Sequence, residues 1–481
     1  MKPLPSDLPR RRFIQTLGAS ALATLPSFGA VGANERVRLG VIGCGGRGSS
    51  LAKQFSGLPD VEIVALCDAD TAHMEKLAKS LKSKPDLIQD YRKLLDRDDI
   101  DGVIIASPNY WHALHTIHAC QAGKDVYVEK PVTHRLEEAA PMIAAAEKYG
   151  RIVQAGTQNR SDKGLIEAFD FIHKGEIGKI TAIRGLCYRN RSSIGAKRDT
   201  PLTPPDTVDY DLWLGPAEDL PIMRPHLHYD WHWVFNTGDG DIGNQGPHEM
   251  DLLAWVMGDP APPTTVRTFG QRFAWNDAGN TPNIITSSFE LGGVPAVFEV
   301  NNLWVKPKTN AAVAFEGIRV GVIVTCEGGE FRGGRGGGYV VGPDGKERIR
   351  KFPGDAGGGH ARNFIDAMKS RKTASLRAPI AKSCAGAALS HYANVSHREG
   401  TETTAAKLRE ETFASSPVML EVLDRQEAQL ENWSIARGTA PYVLGAEIAI
   451  DSASGKVTTE LADPGLIAPF NRKGYEIPKV V

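Results

Sequence analysis

A glycine-rich loop near the start of the chain has the spacing of a dinucleotide-binding turn. Gly43, Gly45 and Gly48 follow an apolar run over residues 37–42 and precede a helical stretch over residues 49–55. Glycine at the first position permits a tight turn, at the second lets the backbone approach a pyrophosphate, and at the third allows close helix-to-strand packing. Because the loop stands between a strand and a helix, its context is the one that this chemistry requires. The predicted phosphate loop comprises Gly43, Cys44, Gly45, Gly46, Arg47 and Gly48.

A carboxylate beyond this loop indicates which dinucleotide is bound. Asp68 stands at the end of a second apolar run over residues 61–67. A carboxylate there accepts hydrogen bonds from ribose hydroxyls and repels a 2′-phosphate, so NAD is favoured over NADP. Arg47 could pair with such a phosphate, and NADP therefore stays the second choice.

Further polar residues stand where β-strands are expected to end. They are Ser107, Pro108, Asn109 and His112 after residues 102–106, Glu129 and Lys130 at the end of residues 126–129, and Gln158 after residues 152–155. Ligands of open α/β sheets bind at the carboxyl ends of the strands, so we expect these residues at the mouth of one cleft. On the residues alone, Lys130 is either a solvated cap or a reactive group.

The segment 238–251 carries candidate acid–base groups. It includes Asn244 and His248, and it leads into a helix through residue 256. A histidine near its ordinary pKa of about 6.5 is a natural base for a hydroxyl. An asparagine can hydrogen-bond a hydroxyl but cannot accept its proton at neutral pH. A lone histidine at a helix start is more often a structural cap, so the residues alone leave both interpretations open.

Aromatic and imidazole side chains crowd a long, proline-rich irregular stretch that begins at residue 190. They are Trp213, His226, His228, Tyr229, Trp231, His232 and Trp233. This density fits a platform on which flat apolar sugar faces stack, and it fits equally well rings that pack a surface loop. On the first interpretation, Tyr188, Trp231 and His232 are predicted substrate contacts.

The elements that must position these residues fall into two groups. Strands are predicted over residues 37–42, 61–67, 102–106, 126–129 and 152–155, and helices over residues 49–55, 111–122 and 136–149. Strands alternating with helices indicate a parallel sheet wound on both faces. The second group begins with a helix over residues 162–173 and has strands over residues 180–187, 284–290, 294–301, 312–316 and 321–326. These strands indicate a large open, mainly antiparallel sheet.

The remaining periodic segments are predicted to be scaffold. The glycine-rich run over residues 328–338 is expected to form hairpin turns, because no helix follows it. Helices are predicted over residues 360–369 and 380–397, and their apolar spacing assigns Phe364, Ile365, Leu389 and Tyr392 to the core.

Composition excludes several classes of protein. The chain is 41% hydrophobic and 23% charged with a net charge of -1, so nothing indicates binding to nucleic acid or to an anionic membrane surface. After the N-terminus, no apolar run approaches the ~20 residues of a membrane span. The six cysteines lack Cys-x-x-Cys spacing, so we predict buried free thiols and no metal site.

The first 33 residues have the pattern of a twin-arginine export signal. Arg10, Arg11, Phe13 and Ile14 precede an uncharged, weakly apolar run over residues 17–30 and a small-residue cleavage site over residues 31–33. The expected location is therefore the periplasm or another exported compartment of a prokaryote. The twin-arginine translocase is the expected partner during export.

Four features together resemble a known family, that of glucose-fructose oxidoreductase, inositol dehydrogenase and MocA, called Gfo/Idh/MocA. They are the glycine loop, Asp68, the turn from Ala106 to His112, and Glu129-Lys130-Pro131, and the resemblance covers residues 37 to about 400. The resemblance implies a Rossmann domain, then an α/β domain whose open sheet covers the nicotinamide and shapes a sugar pocket. It implies Lys130 as the active-site lysine and His248 as the catalytic histidine. It also implies a homo-oligomer.

The same resemblance places Asn244 and Asp251 at contacts to neighbouring sugar hydroxyls. The family has aspartate at the first of these positions, where this chain has Asn244. Proton transfer would therefore depend on Lys130 or His248.

We predict an α/β chain in four parts. Residues 1–33 form the export signal, residues 34–157 an NAD-binding Rossmann domain with a doubly wound parallel sheet, residues 158–400 a substrate domain with a large open, mainly antiparallel sheet, and residues 401–481 a C-terminal extension without an assigned role.

Export in the folded state limits the possible chemistry. An exported NAD protein must load its cofactor before export, hold it tightly, and restore it within each cycle. One function that meets these conditions is oxidation of a sugar or glycoside hydroxyl coupled to reduction of a second substrate. A second is a redox-neutral glycoside hydrolase that oxidises the sugar, eliminates the glycosidic bond, adds water and reduces the product. A non-catalytic NAD-bound sugar sensor is a third hypothesis, which Asn244 in place of aspartate makes conceivable.

Overall fold

The computed structural model describes residues 36–480, and the predicted export signal over residues 1–33 lies outside them. Six strands form a parallel sheet: β1 Val37–Ile42, β2 Val61–Cys67, β3 Asp86–Ile88, β4 Gly102–Ile105, β5 Asp125–Val128 and β6 Val153–Ala155. Their order across the sheet is β3-β2-β1-β4-β5-β6. The order reverses between β1 and β4, and such a switch point leaves a crevice at the carboxyl ends of the strands. The parallel, doubly wound sheet predicted from the strand–helix alternation is confirmed.

A second sheet of twelve strands follows. Its strands are β7 Ile180–Cys187, β8 Thr265–Gln271, β9 Ile284–Leu291, β10 Val294–Asn301, β11 Val320–Cys326, β12 Gly329–Gly334, β13 Gly337–Val341, β14 Arg348–Pro353, β15 Thr401–Thr404, β16 Pro441–Leu444, β17 Ile448–Asp451 and β18 Lys456–Val457. The main path runs β14-β13-β12-β11-β7-β10-β9-β8-β16-β15, and β17 pairs with β8 and β18. Strands β7 and β10 pair in parallel, whereas the other pairs are antiparallel. The predicted open, mainly antiparallel sheet is confirmed.

Helices cover both sheets. They are α1 Gly46–Ser56, α2 Thr71–Ala78, α3 Tyr91–Leu95, α4 His112–Gln121, α5 Ala139–Lys148, α6 Lys163–His173, α7 Tyr210–Leu214, α8 Gly240–Asn244, α9 Gly246–Val256, α10 His360–Ser370, α11 Ile380–Arg398 and α12 Pro417–Glu431. Shorter helical turns are Asn109–Trp111, Leu136–Glu138, Gln158–Ser161, Asp230–Trp233, Thr373–Ser375, Ala405–Lys407, Leu408–Thr412 and Pro464–Leu466. In residues 36–480, no helix combines the length and the apolar character that a membrane span requires.

The core lies on both faces of each sheet. Helices α1, α2 and α10 pack on one face of the parallel sheet, where Phe364 and Ile365 are fully buried. Helices α4 and α5 pack on the opposite face. On the second sheet, α6, α9 and α11 cover one face, with Leu389 and Tyr392 in the contact, and α12 covers part of the other. The four residues assigned to packing from their spacing are therefore buried, as predicted.

Four local findings bear on the sequence predictions. The strand predicted over residues 312–316 is wrong, because that segment makes only isolated bridges, Trp304 to Ala312 and Phe315 to Ile318. The glycine-rich run over residues 328–338 forms the β12–β13 hairpin, as predicted. The segment beyond residue 400 contributes β15 to β18 to the second sheet and α12 to its outer face. All six cysteines are free and buried, as predicted.

Candidate active site

A cleft of about 440 Å³ opens at the carboxyl ends of β1, β4 and β5. Residues of the parallel sheet form one wall. The opposite wall comes from residues that follow the parallel sheet in the chain, chiefly Arg189, Arg191, Trp213, Trp231 and Asn244. The glycine loop and the predicted reactive lysine therefore face the same space.

The glycine loop has the geometry that a bound pyrophosphate needs. Gly43 has φ of +90°, and a Cβ there would lie 2.4 Å from the backbone nitrogen of Ser107. A Cβ on Gly48 would lie 1.7 Å from the carbonyl oxygen of Gly43, so α1 can approach the loop only with glycine at this position. Beside Gly46, in contrast, the space within 4 Å of a Cβ is empty. The loop is therefore tight where it packs and open where it faces the cleft at the start of α1, which fits an anionic dinucleotide.

Asp68 is held in place by the loop itself. Its carboxylate accepts hydrogen bonds from the backbone N–H of Cys44 at 2.6 Å and of Asp70 at 2.9 Å. A carboxylate offers about four acceptor positions, so these two bonds leave capacity for ribose hydroxyls. Arg47 does not compete for that role, since its guanidinium pairs with the buried Glu129 at 2.6 Å. These residues fit NAD, and the pairing of Arg47 removes the main argument for NADP.

His112 ties together the turns that follow β4 and β5. Its Nδ1 lies 2.6 Å from the carbonyl oxygen of Pro131 and its Nε2 lies 2.8 Å from that of Ser107. Burial lowers the pKa of this imidazole. Behind the cleft, Gln158 donates to Glu129 at 3.0 Å and so supports the partner of Arg47. Both residues fix the cleft wall from behind.

Lys130 extends into the centre of the cleft wall. Its Nζ donates to the backbone oxygen of Asn244 at 2.7 Å and to Oδ1 of the same residue at 3.3 Å. Burial lowers the pKa of Lys130, although the nearby carboxylates of Glu129, Asp241 and Glu249 partly oppose this effect. A lysine with a lowered pKa beside an open cleft can donate to a substrate oxygen and can also exchange a proton with it.

Asp241 holds Asn244 in place, and sequence reasoning missed it. This fully buried carboxylate accepts from Arg191 Nε at 2.7 Å, from Asn302 Nδ2 at 2.6 Å and from Asn244 Nδ2 at 3.0 Å. The sequence spacing could have identified Asp241, because it precedes Asn244 by three residues and so lies about one helical turn away. The amide of Asn244 is therefore fixed between Asp241 and Lys130.

His248 lies beside this group, at the start of α9. Its Nδ1 is buried and has no hydrogen-bond partner within residues 36–480. Burial and the positive charge of Lys130 hold the pKa of His248 well below its ordinary value. The imidazole is therefore neutral at pH 7. Its neighbour Glu249, which sequence reasoning also missed, has a pKa raised well above the ordinary value by burial.

A long irregular segment reaches back over the nucleotide side of the cleft; residues 190–233 are here called the strap. Thr71 donates its N–H to the carbonyl of Thr207 at 3.0 Å, and Asp209 donates to that of Ala69 at 2.9 Å. His228 of the strap lies 3.0 Å from the carboxylate of Asp70. These contacts lie immediately beyond Asp68, so the strap is attached where the ribose would bind.

The strap also carries the aromatic platform. Trp231 and His232 stack with ring centroids 3.6 Å apart, and both line the cleft together with the buried Trp213. Burial lowers the pKa of His232 to about 3, so this ring is neutral. Most of the crowded rings therefore line the cleft, whereas His226 and Trp233 do not.

Most predicted site residues line the cleft, and several do not. Those that line it are Gly43, Gly45, Gly46, Arg47, Asp68, Ser107, Pro108, Asn109, His112, Glu129, Lys130, Trp231, His232 and Asn244. Cys44, Gly48 and Gln158 support this surface from behind through the contacts described above. His248, the predicted catalytic histidine, is not among the residues that line the cleft.

Two predicted substrate contacts lie elsewhere in the fold, and these predictions are corrected. Asp251 is 1% exposed, and both of its carboxylate oxygens lie 2.9 Å from Nε of the buried Arg160. Tyr188 donates its hydroxyl to Glu299 at 2.6 Å and accepts from Arg425 at 2.7 Å, on the face of the second sheet that α12 covers. Strand alternation explains the second error, because Cys187 faces the helices on one side and Tyr188 therefore faces the other.

One group in the described residues has ligand atoms close enough for a metal ion. The atoms of Asp70, His73 and His228 all lie within 4.8 Å of one another. They belong to the attachment of the strap, where His228 already contacts Asp70. The prediction that the protein has no metal site is not tested by this geometry.

Comparison with known proteins agrees with this site. Residues 37–157 match the family model GFO_IDH_MocA, described as an oxidoreductase family with an NAD-binding Rossmann fold. An α-N-acetylgalactosaminidase of Shewanella oneidensis is 40% identical over 144 residues, which cover 27% of this chain and 31% of that protein. An uncharacterised oxidoreductase of Bacillus subtilis, YrbE, is 32% identical over 144 residues, which cover 30% of this chain and 42% of that protein. The matched region is therefore less than half the length of either curated relative.

Solved structures share the fold over a longer region. The WlbA dehydrogenase of Bordetella pertussis, crystallised with NADH and UDP-GlcNAcA, superposes with a TM-score of 0.56 at 17% identity and covers 74% of this chain and 95% of its own. An NAD-binding protein of Listeria innocua gives a TM-score of 0.55 at 18% identity, with 74% and 93% covered. Residues 37–157 are thus similar to the NAD-binding part of the Gfo/Idh/MocA oxidoreductases, and the solved structures share the fold of the chain.

Proposed function

We propose that this protein is an exported NAD-dependent oxidoreductase that acts on a CH–OH group of a sugar or glycoside and retains its cofactor through each cycle. The observation that carries the proposal is the convergence on one cleft of the NAD loop, Lys130 with its fixed partner Asn244, and the aromatic platform of Trp231 and His232. A cleft with aromatic walls and a few fixed polar groups suits a sugar ring.

The chain's own residues provide binding, orientation and proton transfer. The rings of the platform would stack on the apolar face of the sugar and exclude water from it. Lys130, fixed by Asn244, would donate a hydrogen bond to the reacting hydroxyl and orient it. The imidazole of His248, which burial and Lys130 keep neutral, would exchange the hydroxyl proton. NAD, held by the Gly43 loop and Asp68, supplies the hydride acceptor.

The strap supports the proposed retention of the cofactor. The strap is joined to the NAD-binding side by two backbone hydrogen bonds and the His228–Asp70 contact. A nucleotide beneath it would leave only when these contacts open. This arrangement supports the preloaded cofactor that export would require.

A redox-neutral glycoside hydrolase is the second candidate. Several curated relatives, which match between 24% and 29% of this chain, carry glycoside hydrolase names, among them the α-N-acetylgalactosaminidase of Shewanella oneidensis. The strap favours the same chemistry, because a cofactor that is reduced and reoxidised in one cycle need not leave the protein.

The first experiment identifies the cofactor and the reaction together. The protein is purified without added nucleotide, denatured, and its released nucleotide identified; the intact protein is then screened with sugars and with nitrophenyl α-N-acetylgalactosaminide. Sugar-dependent accumulation of reduced nucleotide supports the oxidoreductase. Nitrophenol release without such accumulation supports the hydrolase. A protein that binds sugar but does neither supports the sensor.

Variants at Lys130 test the assigned site. Lys130→Met is expected to reduce turnover by ~100-fold or more, because a positioned acid–base group contributes at least that much. Lys53→Met, at an exposed position on α1, is the matched control and should leave turnover unchanged. Equal turnover of wild type and Lys130→Met would refute the site.

Location is tested separately. Export by the twin-arginine pathway is expected to stop when Arg10 and Arg11 are both replaced by lysine, and cell fractionation measures it. Periplasmic accumulation of that variant would contradict the proposal.

A further inference from the structure

A second cavity of about 560 Å³ adjoins the cleft; we call it the basic annex. Its floor is the glycine-rich β12–β13 hairpin over residues 333–338, and its wall is the end of β14. Arg189, directly after Tyr188 at the end of β7, lines both the annex and the cleft. The two cavities are therefore neighbours that share Arg189.

The charge of the annex has one sign. Its lining includes no carboxylate and five cations, namely Arg189, Arg319, Arg332, Arg335 and Lys351. Arg332 is neutralised, since it pairs with Glu316 at 3.0 Å and with Glu330 at 2.6 Å. Arg319 donates to Asn190 Oδ1 at 3.2 Å and Arg335 donates to the carbonyl of Ala356 at 3.3 Å, which are neutral acceptors.

Four cations consequently remain without an ionic partner. Within residues 36–480, no carboxylate pairs with Arg189, Arg319, Arg335 or Lys351. Like charges around a concave surface repel one another, and the concavity concentrates their field on what enters it. Guanidinium groups bind carboxylate, sulfate and phosphate with two parallel hydrogen bonds. The annex thus has the chemistry of an anion-binding site.

One cation of the annex also influences a residue of the proposed reactive centre. Arg335 lies near enough to His248 to contribute to the lowered pKa of its imidazole. A molecule with its anionic group in the annex could therefore extend past Arg189 into the cleft, toward Lys130.

We propose that the substrate is an acidic saccharide, whose anionic substituent binds in the basic annex while its reacting ring lies at Lys130 and His248. The anionic group is a carboxylate, as in a uronic acid, or a sulfate or phosphate ester. This inference rests on the proposed function for the position of the reacting ring. The anion site itself depends only on the annex.

Direct binding to the cofactor-loaded protein tests the annex without requiring turnover. Isothermal titration is performed with inorganic sulfate and with matched pairs of monosaccharides, each as the neutral sugar, the uronic acid and the sulfate ester. The wild type is expected to bind sulfate, and to bind one acidic series at least about tenfold more tightly than its neutral partners. Which acidic series is preferred distinguishes a carboxylate from an ester.

The double variant Arg335→Gln/Lys351→Gln is expected to lose sulfate binding and the acidic preference. The matched control is Lys346→Gln, in the exposed turn between β13 and β14, which should retain both. The preference is also expected to decline as salt increases.

The two proposals fail in different ways. If wild type and double variant bind sulfate equally, or if neither binds it, the annex proposal is overturned whatever the sugar results. If no sugar is oxidised or cleaved while the acidic preference persists and depends on Arg335 and Lys351, the proposed function fails and the annex stands.

Discussion

The attachment of the strap should control how fast NAD leaves the protein. The contact to test is His228 Nε2 to Asp70 Oδ2 at 3.0 Å, in which Asp70 is 7% and His228 35% exposed. Burial lowers the pKa of His228, so at pH 7 a neutral imidazole donates to a carboxylate. The perturbation is His228→Ala, which removes this bond and leaves the two backbone bonds of the strap in place.

The expected magnitude follows from the type of bond. A hydrogen bond to a charged group contributes about 1.5–3 kcal/mol. Because His228 is one-third exposed, the lower end applies, and about 1.4 kcal/mol corresponds to a factor of ten in rate. We therefore expect NAD to dissociate about tenfold faster from His228→Ala. The remaining backbone bonds to Thr71 and Ala69 should prevent complete loss of retention.

Stopped-flow fluorescence measures the rate directly, with protein loaded with NADH and chased with excess NAD. His226→Ala is the control, because it removes an exposed imidazole two residues away on the same strap. Circular dichroism establishes that both variants are folded. A dissociation rate for His228→Ala within twofold of wild type, or an equal acceleration in His226→Ala, would refute the role of the strap.

Three further predictions concern single carboxylates. Asp68→Asn keeps an acceptor but loses the charge, so the preference for NAD over NADP should fall about tenfold in competitive binding, and an unchanged ratio would show that Asp68 does not face the ribose. Burial raises the pKa of Glu138 from 4.5 to about 7, so the folded protein holds a proton that the unfolded chain releases. As the pH rises from 4.5 through 7, the free energy of unfolding should therefore fall by up to about 3 kcal/mol. Denaturation of Glu138→Gln over the same pH range should lack this decline. Asp251→Asn leaves the buried Arg160 with less negative charge and should cost about 3 kcal/mol in denaturation while turnover per folded molecule stays unchanged; a selective rise in KM would instead restore Asp251 as a substrate contact.

The parallel sheet was the most predictable part of the fold. Most of its strands are runs of β-branched and apolar residues because both faces are buried, and β1 and β2 begin and end where the sequence predicts. The exception is the edge strand β3, which is largely exposed and was not predicted. The helix after the glycine loop begins at Gly46 and not at residue 49, since the last glycines of the loop already have helical geometry. Local composition identifies the loop, but the exact start of the helix depends on its packing against β1.

Edge strands and the C-terminal segment were not predictable in the same way. Strand β14, Arg348–Pro353, is mostly charged and exposed, so it has neither the alternation nor the apolar content of a buried strand. Its strand geometry comes from pairing with β13, which the sequence does not indicate. The apolar spacing of helix α12 can be interpreted only when the sheet face that it covers is known, so this helix was not predicted.

The candidate site was predictable where a motif specifies chemistry and unpredictable where contacts are made across the fold. The glycine loop, Asp68 and Lys130 line the cleft because each stands at the end of a parallel strand. Asp251 was misassigned because its partner, Arg160, is 91 residues away in the chain. The basic annex was not predictable either, since its cations come from four separate segments of the chain.

The fold explains why asparagine can stand at position 244, where the family motif has aspartate. Aspartate at this position would place a carboxylate oxygen about 3 Å from Asp241, whose four hydrogen bonds keep it fixed. Two carboxylates that close cannot both be ionised, and one would be protonated at neutral pH. Asparagine instead donates to Asp241 with its amide and accepts from Lys130 with its oxygen. The negative charge is therefore not missing from this site but lies one helical turn earlier, and the asparagine gives the sensor hypothesis little support.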